Sequence, residues 1–373
     1  MASRPSDILV VGAGIVGCAV AYELARRGAS VEVVDERPVA MGATQASAGV
    51  LAPYIEARED SPLLDLAVRS LNLYDDFIAR VADDSGIAVP YRRTGTLDVA
   101  TDESELAALR TIASVLRRRA VPSLLLDAAS ARAEEPLLAD GVAGGLLIEN
   151  HGFVAAAQLT HALVAAARRH GAQLVEQSRV RRIRRSGAEV LVDTDRGSLT
   201  SGAVVLAAGT WSGAIDIDGV MTRVPVRPVR GQLLHLGWSE PPLRRVTWSR
   251  RCYMVPWDDG TVLVGATAEE AGFDERATVS GVHDLLGAAC DLTPHAWTAS
   301  FRDVRVGLRP ATADALPVIG ASRAVPEVMY ATGHFRNGVL LAPLTAQLVA
   351  DAMLDGRIDP LLERVKPSRF GDL

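Results

Sequence analysis

Near the N-terminus, Ile8-Leu9-Val10-Val11 runs straight into Gly12, Gly14 and Gly17, and this junction restricts the fold more than any other stretch of the chain. The apolar run reads as a buried parallel strand, and the glycines fall in the G-x-G-x-x-G spacing. Gly12 permits the tight turn, Gly14 lets backbone N–H groups approach a pyrophosphate, and Gly17 lets the following helix pack closely on the strand. A phosphate would then sit at the positive end of that helix.

A glycine-rich turn of any α/β protein can show the same spacing, so context decides. Ile15 to Arg27 has the pattern of an amphipathic helix that stops at Gly28, and Val31-Glu32-Val33-Val34 forms a second strand ending at Asp35. Asp35 lies where a β-α-β unit brings a carboxylate to ribose hydroxyls, which favours NAD or FAD over NADP. Glu36 is the adjacent alternative.

The chain has 373 residues, 49% of them hydrophobic, which suggests roughly two domains with large cores. A net charge of −6 makes a nucleic acid an unfavourable partner. Cys18, Cys252 and Cys290 show neither C-x-x-C nor zinc spacing, as in a reducing compartment, and the seven histidines offer no metal site. Arg4 followed by the apolar run Ile8 to Ala21 has a superficial likeness to a signal peptide, but the glycine fingerprint accounts for the same residues. The C-terminal run from Gly338 to Leu354 is broken by Pro343, Gln347 and Asp351, so no membrane span is expected and the reading is of a soluble cytoplasmic protein.

Along the chain, Glu36 to Leu51 is a loop rich in small and hydroxyl residues, suited to a flat or anionic ligand or to a plain surface loop. Leu63 to Val81 and Glu103 to Arg119 read as helices, with Thr94 to Val99 a strand between them. The clusters Arg117-Arg118-Arg119 and Arg179 to Arg185 read as a solvated helix end and a solvent-facing strand. A second α/β block starts near His151: a helix from Ala155 to Arg169 stopped by Gly171, then Gln173 to Glu176, Val180, and a strand from Glu189 to Asp193. Ala203 to Leu206 is one more buried parallel strand, and Ala207-Ala208-Gly209 lets its end approach a ligand closely. Val226 to Leu236, Cys252 to Trp257 and Thr261 to Thr267 predict a mostly antiparallel lobe. Gly307 to Thr312 and Leu316 to Gly320 read as glycine-rich loops, followed by the strand Val328 to Ala331 and a final helix.

Several of these stretches together carry a family likeness. The opening fingerprint, Thr44 to Leu51, Ala207-Ala208-Gly209-Thr210-Trp211-Ser212, Gly307-Leu308-Arg309-Pro310, and Gly333-His334-Phe335-Arg336-Asn337-Gly338-Val339-Leu340-Leu341-Ala342-Pro343 resemble the D-amino acid oxidase superfamily. Within it they most resemble bacterial glycine oxidases of the thiamine-biosynthesis type. The resemblance implies an α/β fold with a Rossmann-like (GR2-type) FAD-binding domain, discontinuous over 1–84, 152–221 and 308–373. A second α+β substrate-binding domain, built on a mostly antiparallel sheet, would span 85–151 and 222–307.

The resemblance also implies non-covalent FAD. Gly12, Gly14, Ile15, Val16 and Gly17 would lie at the pyrophosphate, Asp35 and Glu36 at the adenosine ribose, and Ala43 and Thr44 on the diphosphate side. Ala48, Gly49 and Val50 would sit beside the flavin, Val180 against the adenine, Gly209 near the ligand, and His334, Phe335, Arg336, Asn337, Gly338, Val339 and Leu340 around the isoalloxazine edge. Arg309 would grip a substrate carboxylate, Tyr253 would hydrogen-bond it, and Arg336 would line the pocket; a guanidinium matches a carboxylate with two parallel donors. Val50 and Arg251 stand where glycine oxidases usually carry methionine and often histidine, which bears on which amino acid is preferred. The reaction implied is hydride removal from the α-carbon of glycine, sarcosine or a small D-amino acid to flavin N5, with dioxygen as second substrate and hydrogen peroxide as product. A small amino acid and dioxygen are thus the expected partners, with neither nucleic acid nor membrane; a homo-oligomer is left open.

Other functions share parts of this pattern. An amine or D-amino acid dehydrogenase would pass electrons to another acceptor and make no peroxide in air. The flavin domain of a tRNA-modifying enzyme fits poorly with the net charge of −6. A non-catalytic flavin-binding protein would make the convergence of Arg309, Tyr253 and Arg336 accidental.

Overall fold

The computed structural model describes residues 6–55 and 61–373; Arg4 lies outside them. The first strand, Ser6–Val11, is parallel to Val31–Val34 on one side and to Gly197–Leu206 on the other. Gln173–Val175 continues the sheet beyond Val31–Val34, and Val328–Thr332 pairs in parallel with Gly197–Leu206. Nine strands of the described residues join this sheet. Val10 and Leu9 point to opposite faces, and each meets a core: Val10 packs with the helices Ile15–Arg26, Ala156–Arg169 and Gly338–Leu354, and Leu9 with Val190, Val192 and Tyr330. Burial on both faces is why this strand reads as an unbroken apolar run rather than an alternation.

The second sheet has eight strands among the described residues. Its order runs from Ser300–Ala311 through Arg227–Gly237, Thr261–Gly265, Tyr253–Trp257 and Val246–Trp248 to Thr96–Ala100, Gly144–Ile148 and Ser123–Asp127. Every pairing is antiparallel except that of Val246–Trp248 with Thr96–Ala100. The helix Val279–Leu292 covers one face, with Leu285, Ala289 and Leu292 packed on Leu234, Met254 and Val264. Polar and small residues on the opposite face, including Gly231, Tyr253, Gly265 and Arg309, border the cavity described below.

The structure departs from the sequence reading in a few places. The expected loop Gly307 to Thr312 is the end of a twelve-residue strand, Ser300–Ala311, and Leu316 to Gly320 leads into the strand Val318–Ala321. The helix expected over Leu63 to Val81 is two, Pro62–Asn72 and Tyr74–Ser85, meeting at Leu73. The end of the small-residue loop, Val50–Leu51, is a short strand paired with Gly152–Val154. In the basic stretch 179–185, Arg182, Arg184 and Arg185 make surface ion pairs with Asp218, Asp193 and Glu327, whereas Arg179 and Arg181 border the cavity. No described helix is long and apolar enough to cross a membrane.

Candidate active site

The turn after the first strand is held by its own backbone. Gly12 has φ +113°, and a Cβ there would fall 2.4 Å from the Ala207 carbonyl oxygen; a Cβ on Gly17 would fall 1.9 Å from the Gly12 oxygen. Both positions therefore exclude any side chain, and they press turn, helix and neighbouring strand together. Gly14 differs, because a Cβ there would meet only the Thr44 hydroxyl, at 3.4 Å. The space beside Gly14 is cavity.

This cavity has a volume of about 780 Å³ and runs between the two sheets. Every candidate cofactor or substrate residue named from the sequence lines it except Gly17, whose place is the helix–strand contact beneath. Asp35 accepts hydrogen bonds from the backbone N–H of Ala13 (2.6 Å) and of Arg37 (2.8 Å), one on each carboxylate oxygen. Burial raises its pKa above the ordinary carboxylate value, opposed by those two donors. Each oxygen keeps a further lone pair for a ligand hydroxyl. Glu36 lies in an ion pair with Arg179, 3.4 Å away. Thr44 accepts from the Ile15 N–H at 3.1 Å, which fastens the small-residue loop to the start of the helix. The N-cap residue Gly14 has no side chain to offer, so beyond the Ile15 N–H taken by Thr44 the first turn, including Val16, opens on the cavity.

Gly49 (φ +69°) allows the loop to touch Val154, whose N–H donates to the Gly49 carbonyl at 2.9 Å. Ala43, Ala48 and Val50 border the cavity along the same loop, Val180 borders it from its own strand, and Gly209 borders it from the end of Gly197–Leu206. From the far side comes the segment before the last helix. The Phe335 N–H donates to the Pro310 carbonyl at 2.9 Å, so His334 to Leu340 is tied to the strand carrying Arg309. His334 is buried and shares a 3.0 Å hydrogen bond with Thr345; burial pushes its pKa down to about 3. It is therefore neutral and held in place, as suits a positioning residue rather than a base.

Arg309 and Tyr253 lie across glycines of neighbouring strands. A Cβ on Gly231 would fall 2.4 Å from both terminal nitrogens of Arg309, and one on Gly265 would fall 2.4 Å from the Tyr253 hydroxyl. Arg309 donates from Nη1 to the Thr267 carbonyl at 2.9 Å, and it has no carboxylate partner within ion-pair distance among the described residues. Burial draws the Arg309 pKa below its ordinary value, partly offset by Tyr253, while Arg336 pushes the same way as burial. Burial raises the Tyr253 pKa against the attraction of Arg309 and Arg336, so its phenol stays protonated as a donor. The acids lining the cavity among the described residues, Asp35, Glu36 and Asp216, all belong to the other sheet and its loops. Glu269 also attracts Arg309, but its carboxylate is taken by Arg230 and Gln232, so Arg309 is a desolvated cation with unused donors and no carboxylate paired to it, which suits an anion.

Gly231 makes this arrangement testable. Gly231→Ala should push the guanidinium off its seat and lower kcat/KM for a carboxylate substrate by about ten- to a hundredfold, through KM, at ~1.4 kcal/mol per tenfold. Wild-type kinetics in a folded Gly231→Ala protein would show that Arg309 does not need that seat.

Reading the sequence missed several wall residues. Trp248 stacks on Tyr253 with ring centroids 4.7 Å apart, and Trp211 stands under the Arg37 guanidinium at 4.4 Å. Trp211 lay inside a quoted motif, but its contact with Arg37 spans parts of the chain that no local pattern links. Arg251 lines the rim, yet its guanidinium turns to Asp291 at 2.5 Å.

Residues 7–352 match the family model of FAD-dependent oxidoreductases known as DAO. The chain belongs to the FAD-dependent oxidoreductase family. A glycine oxidase of Geobacillus kaustophilus is 34% identical over 92% of this chain and 92% of its own. The crystal structure of glycine oxidase from the same organism superposes with a TM-score of 0.90 at 32% identity, covering 98% of this chain and 96% of that one. A bifunctional protein ThiO/ThiG of Synechocystis sp. is 34% identical over 98% of this chain but only 54% of its own length. The chain thus spans about half of the bifunctional relatives it matches.

FAD is the cofactor of this family, and the residues present fit it. The cavity has a helix N-terminus opening beside Gly14 for phosphates, and a half-buried carboxylate, Asp35, with spare lone pairs for a ribose. Its volume of about 780 Å³ leaves room for a large ligand. Among the described residues no cluster of acids, histidines or cysteines could hold a metal.

Proposed function

We propose that this chain is an FAD-dependent amino-acid oxidase of the glycine oxidase type, acting on glycine, sarcosine or a small D-amino acid. The observation that carries the reading is Arg309: a cation set across Gly231, without a carboxylate partner among the described residues, in the same cavity as the glycine turn. FAD, when bound, supplies a two-electron acceptor for the substrate α-C–H bond and is reoxidised by dioxygen to give hydrogen peroxide.

The protein's own part is binding and orientation. Gly12, Gly14, Ile15 and Val16 would receive the pyrophosphate, Asp35 and Glu36 the ribose, and Ala43 and Thr44 the diphosphate side, with Val180 at the adenine. Ala48, Gly49, Val50, Gly209 and His334 to Leu340 would surround the flavin. Arg309 would hold the substrate carboxylate, Tyr253 would donate its hydroxyl to it, and Arg336 would close the pocket. The amine enters uncharged, and the resulting imine hydrolyses to the oxo acid and ammonia, or amine for sarcosine. We further assign 1–84, 152–221 and 308–373 to FAD binding and 85–151 and 222–307 to substrate binding. The gathering of Thr96–Ala100, Gly144–Ile148 and the strands between Arg227 and Gly307 into one sheet supports that division, with the end of Ser300–Ala311 crossing the boundary at 308. A role in thiazole formation for thiamine accords with the likeness to the bifunctional relatives.

The test is an aerobic peroxide assay on the purified protein with glycine, sarcosine and a panel of D- and L-amino acids. Peroxide from glycine, sarcosine or a small D-amino acid is the expected result. Substrate-dependent reduction of an artificial dye without peroxide would instead indicate a dehydrogenase, and no turnover on any of them would refute the oxidase reading.

A further inference from the structure

Between the strand Thr261–Gly265 and the helix Val279–Leu292, residues 266–278 start at the cavity wall, which 266–268 line, and reach Arg37 and Trp211 on the side of the first sheet. The root of this segment is fixed. Glu269 exchanges backbone hydrogen bonds with Arg230, 2.9 Å in each direction, and its carboxylate takes Arg230 Nη2 at 2.6 Å and Gln232 Nε2 at 2.8 Å. The side chain of Arg230 is only 7% exposed and also holds Asp274 at 3.1 Å. Thr267, at the same root, presents its carbonyl to Arg309.

The outer part reaches the other sheet. Glu275 takes both terminal nitrogens of Arg37, at 2.9 and 2.8 Å, in a two-pronged pair. Arg37 lies two residues beyond Asp35, lines the cavity, and covers the Trp211 ring. Phe273 lies beside that ring, 6.1 Å between centroids, although it is 55% exposed. Trp211 lines the cavity and lies against Gly42, where a Cβ would fall 3.4 Å from the indole. Cation, ring and carboxylate thus form one stack that joins the Asp35 loop to a segment rooted beside Arg309.

We infer that residues 266–278 are a strap over the cofactor channel and that the Arg37–Glu275 pair on Trp211 is its latch, holding FAD in place and steadying Arg309 through Thr267. Glu275, Arg37 and Trp211 are positioning residues. This rests on the proposed course of FAD through the cavity. A half-exposed ion pair and a cation–π contact are each weak, so loss of the latch should speed release of FAD about three- to tenfold rather than abolish binding. The Thr267 link adds a second effect: KM for the amino acid should rise while kcat is largely kept.

The experiment compares holoenzyme of the wild type, Glu275→Gln, Trp211→Leu and the double variant Arg37→Gln/Glu275→Gln. FAD release is followed by the rise in flavin fluorescence after dilution, with far-UV circular dichroism to check the fold. Faster release in Glu275→Gln and Trp211→Leu, with the double variant at least as fast as Glu275→Gln, supports the latch. Folded variants that release FAD at the wild-type rate overturn it. A wild type that binds no FAD at all refutes instead the reading on which the latch rests. Should Trp211→Leu misfold, Glu275→Gln alone decides the matter, because its side chain is 30% exposed and packs in no core.

Discussion

Replacing Arg309 with alanine should lower kcat/KM for amino acids by about thirty- to several-thousandfold while leaving the flavin colour in place. The estimate follows from the cost of removing one member of a buried charge pair, roughly 2–5 kcal/mol, at ~1.4 kcal/mol per tenfold. Within that range the loss is limited by how much of the carboxylate Arg336, across the same cavity, can take over. Arg336 lies on a different segment, Tyr253 brings a single hydroxyl, and the Arg309 fork is fixed by Gly231 and the Thr267 carbonyl. Amines without a carboxylate should lose little further activity in the variant. Near-normal turnover of amino acids by Arg309→Ala would mean that the carboxylate is held elsewhere. Arg309→Lys should recover only part of the loss, because an ammonium is a point charge and cannot offer two parallel donors.

The second large effect is expected at Gly14, which the structure separates from its neighbours in the same motif. A side chain at Gly12 or Gly17 runs into backbone, so those variants should fail in folding before they fail in binding. Gly14 has φ −76° and ψ 177°, an extended conformation open to any residue, and a Cβ there has an ordinary distance to Thr44. Gly14→Val should therefore fold, with the helix Ile15–Arg26 and its cores intact, and yet purify colourless because the isopropyl group fills the space of the phosphates. Circular dichroism and the visible absorbance of the purified protein together check this. A yellow Gly14→Val protein would remove the phosphates from this turn.

How far the sequence led depended on the range of the interaction. Local signals were reliable: the strand Ser6–Val11, the turn, the helix ended by Gly28 and the acid at Asp35 are all set by neighbours within a few residues. The strand Ser300–Ala311 was misread because Gly307 and Pro310 look like breakers. Gly307 instead admits the loop at Ala43 and Ala46, the latter with its Cβ 2.9 Å from the place a side chain would need. The break at Leu73 carries neither glycine nor proline, so the two helices read as one.

The cavity residues were legible through family likeness, but the reasons for their placement were not. That Tyr253 needs Gly265 follows from the register pairing these two residues on adjacent strands, and that Arg309 needs Gly231 follows from the alignment of Arg227–Gly237 with Ser300–Ala311. Such registers are fixed by the packed sheet as a whole, not by either strand alone. The contact of Arg37 with Glu275 bridges 238 positions and leaves no periodic trace in the sequence.

The central claim is that one cavity holds both FAD and an amino acid whose carboxylate meets Arg309. It is tested most directly by adding glycine, and in parallel sarcosine and D-alanine, to the purified yellow protein without oxygen and then admitting air. The account predicts that at least one of them bleaches the yellow colour within the mixing time of a catalytic turnover, that air restores it with release of hydrogen peroxide, and that folded Arg309→Ala, although equally yellow, bleaches far more slowly. Colour that none of the three amino acids changes, or that bleaches at the same rate in Arg309→Ala, would contradict it.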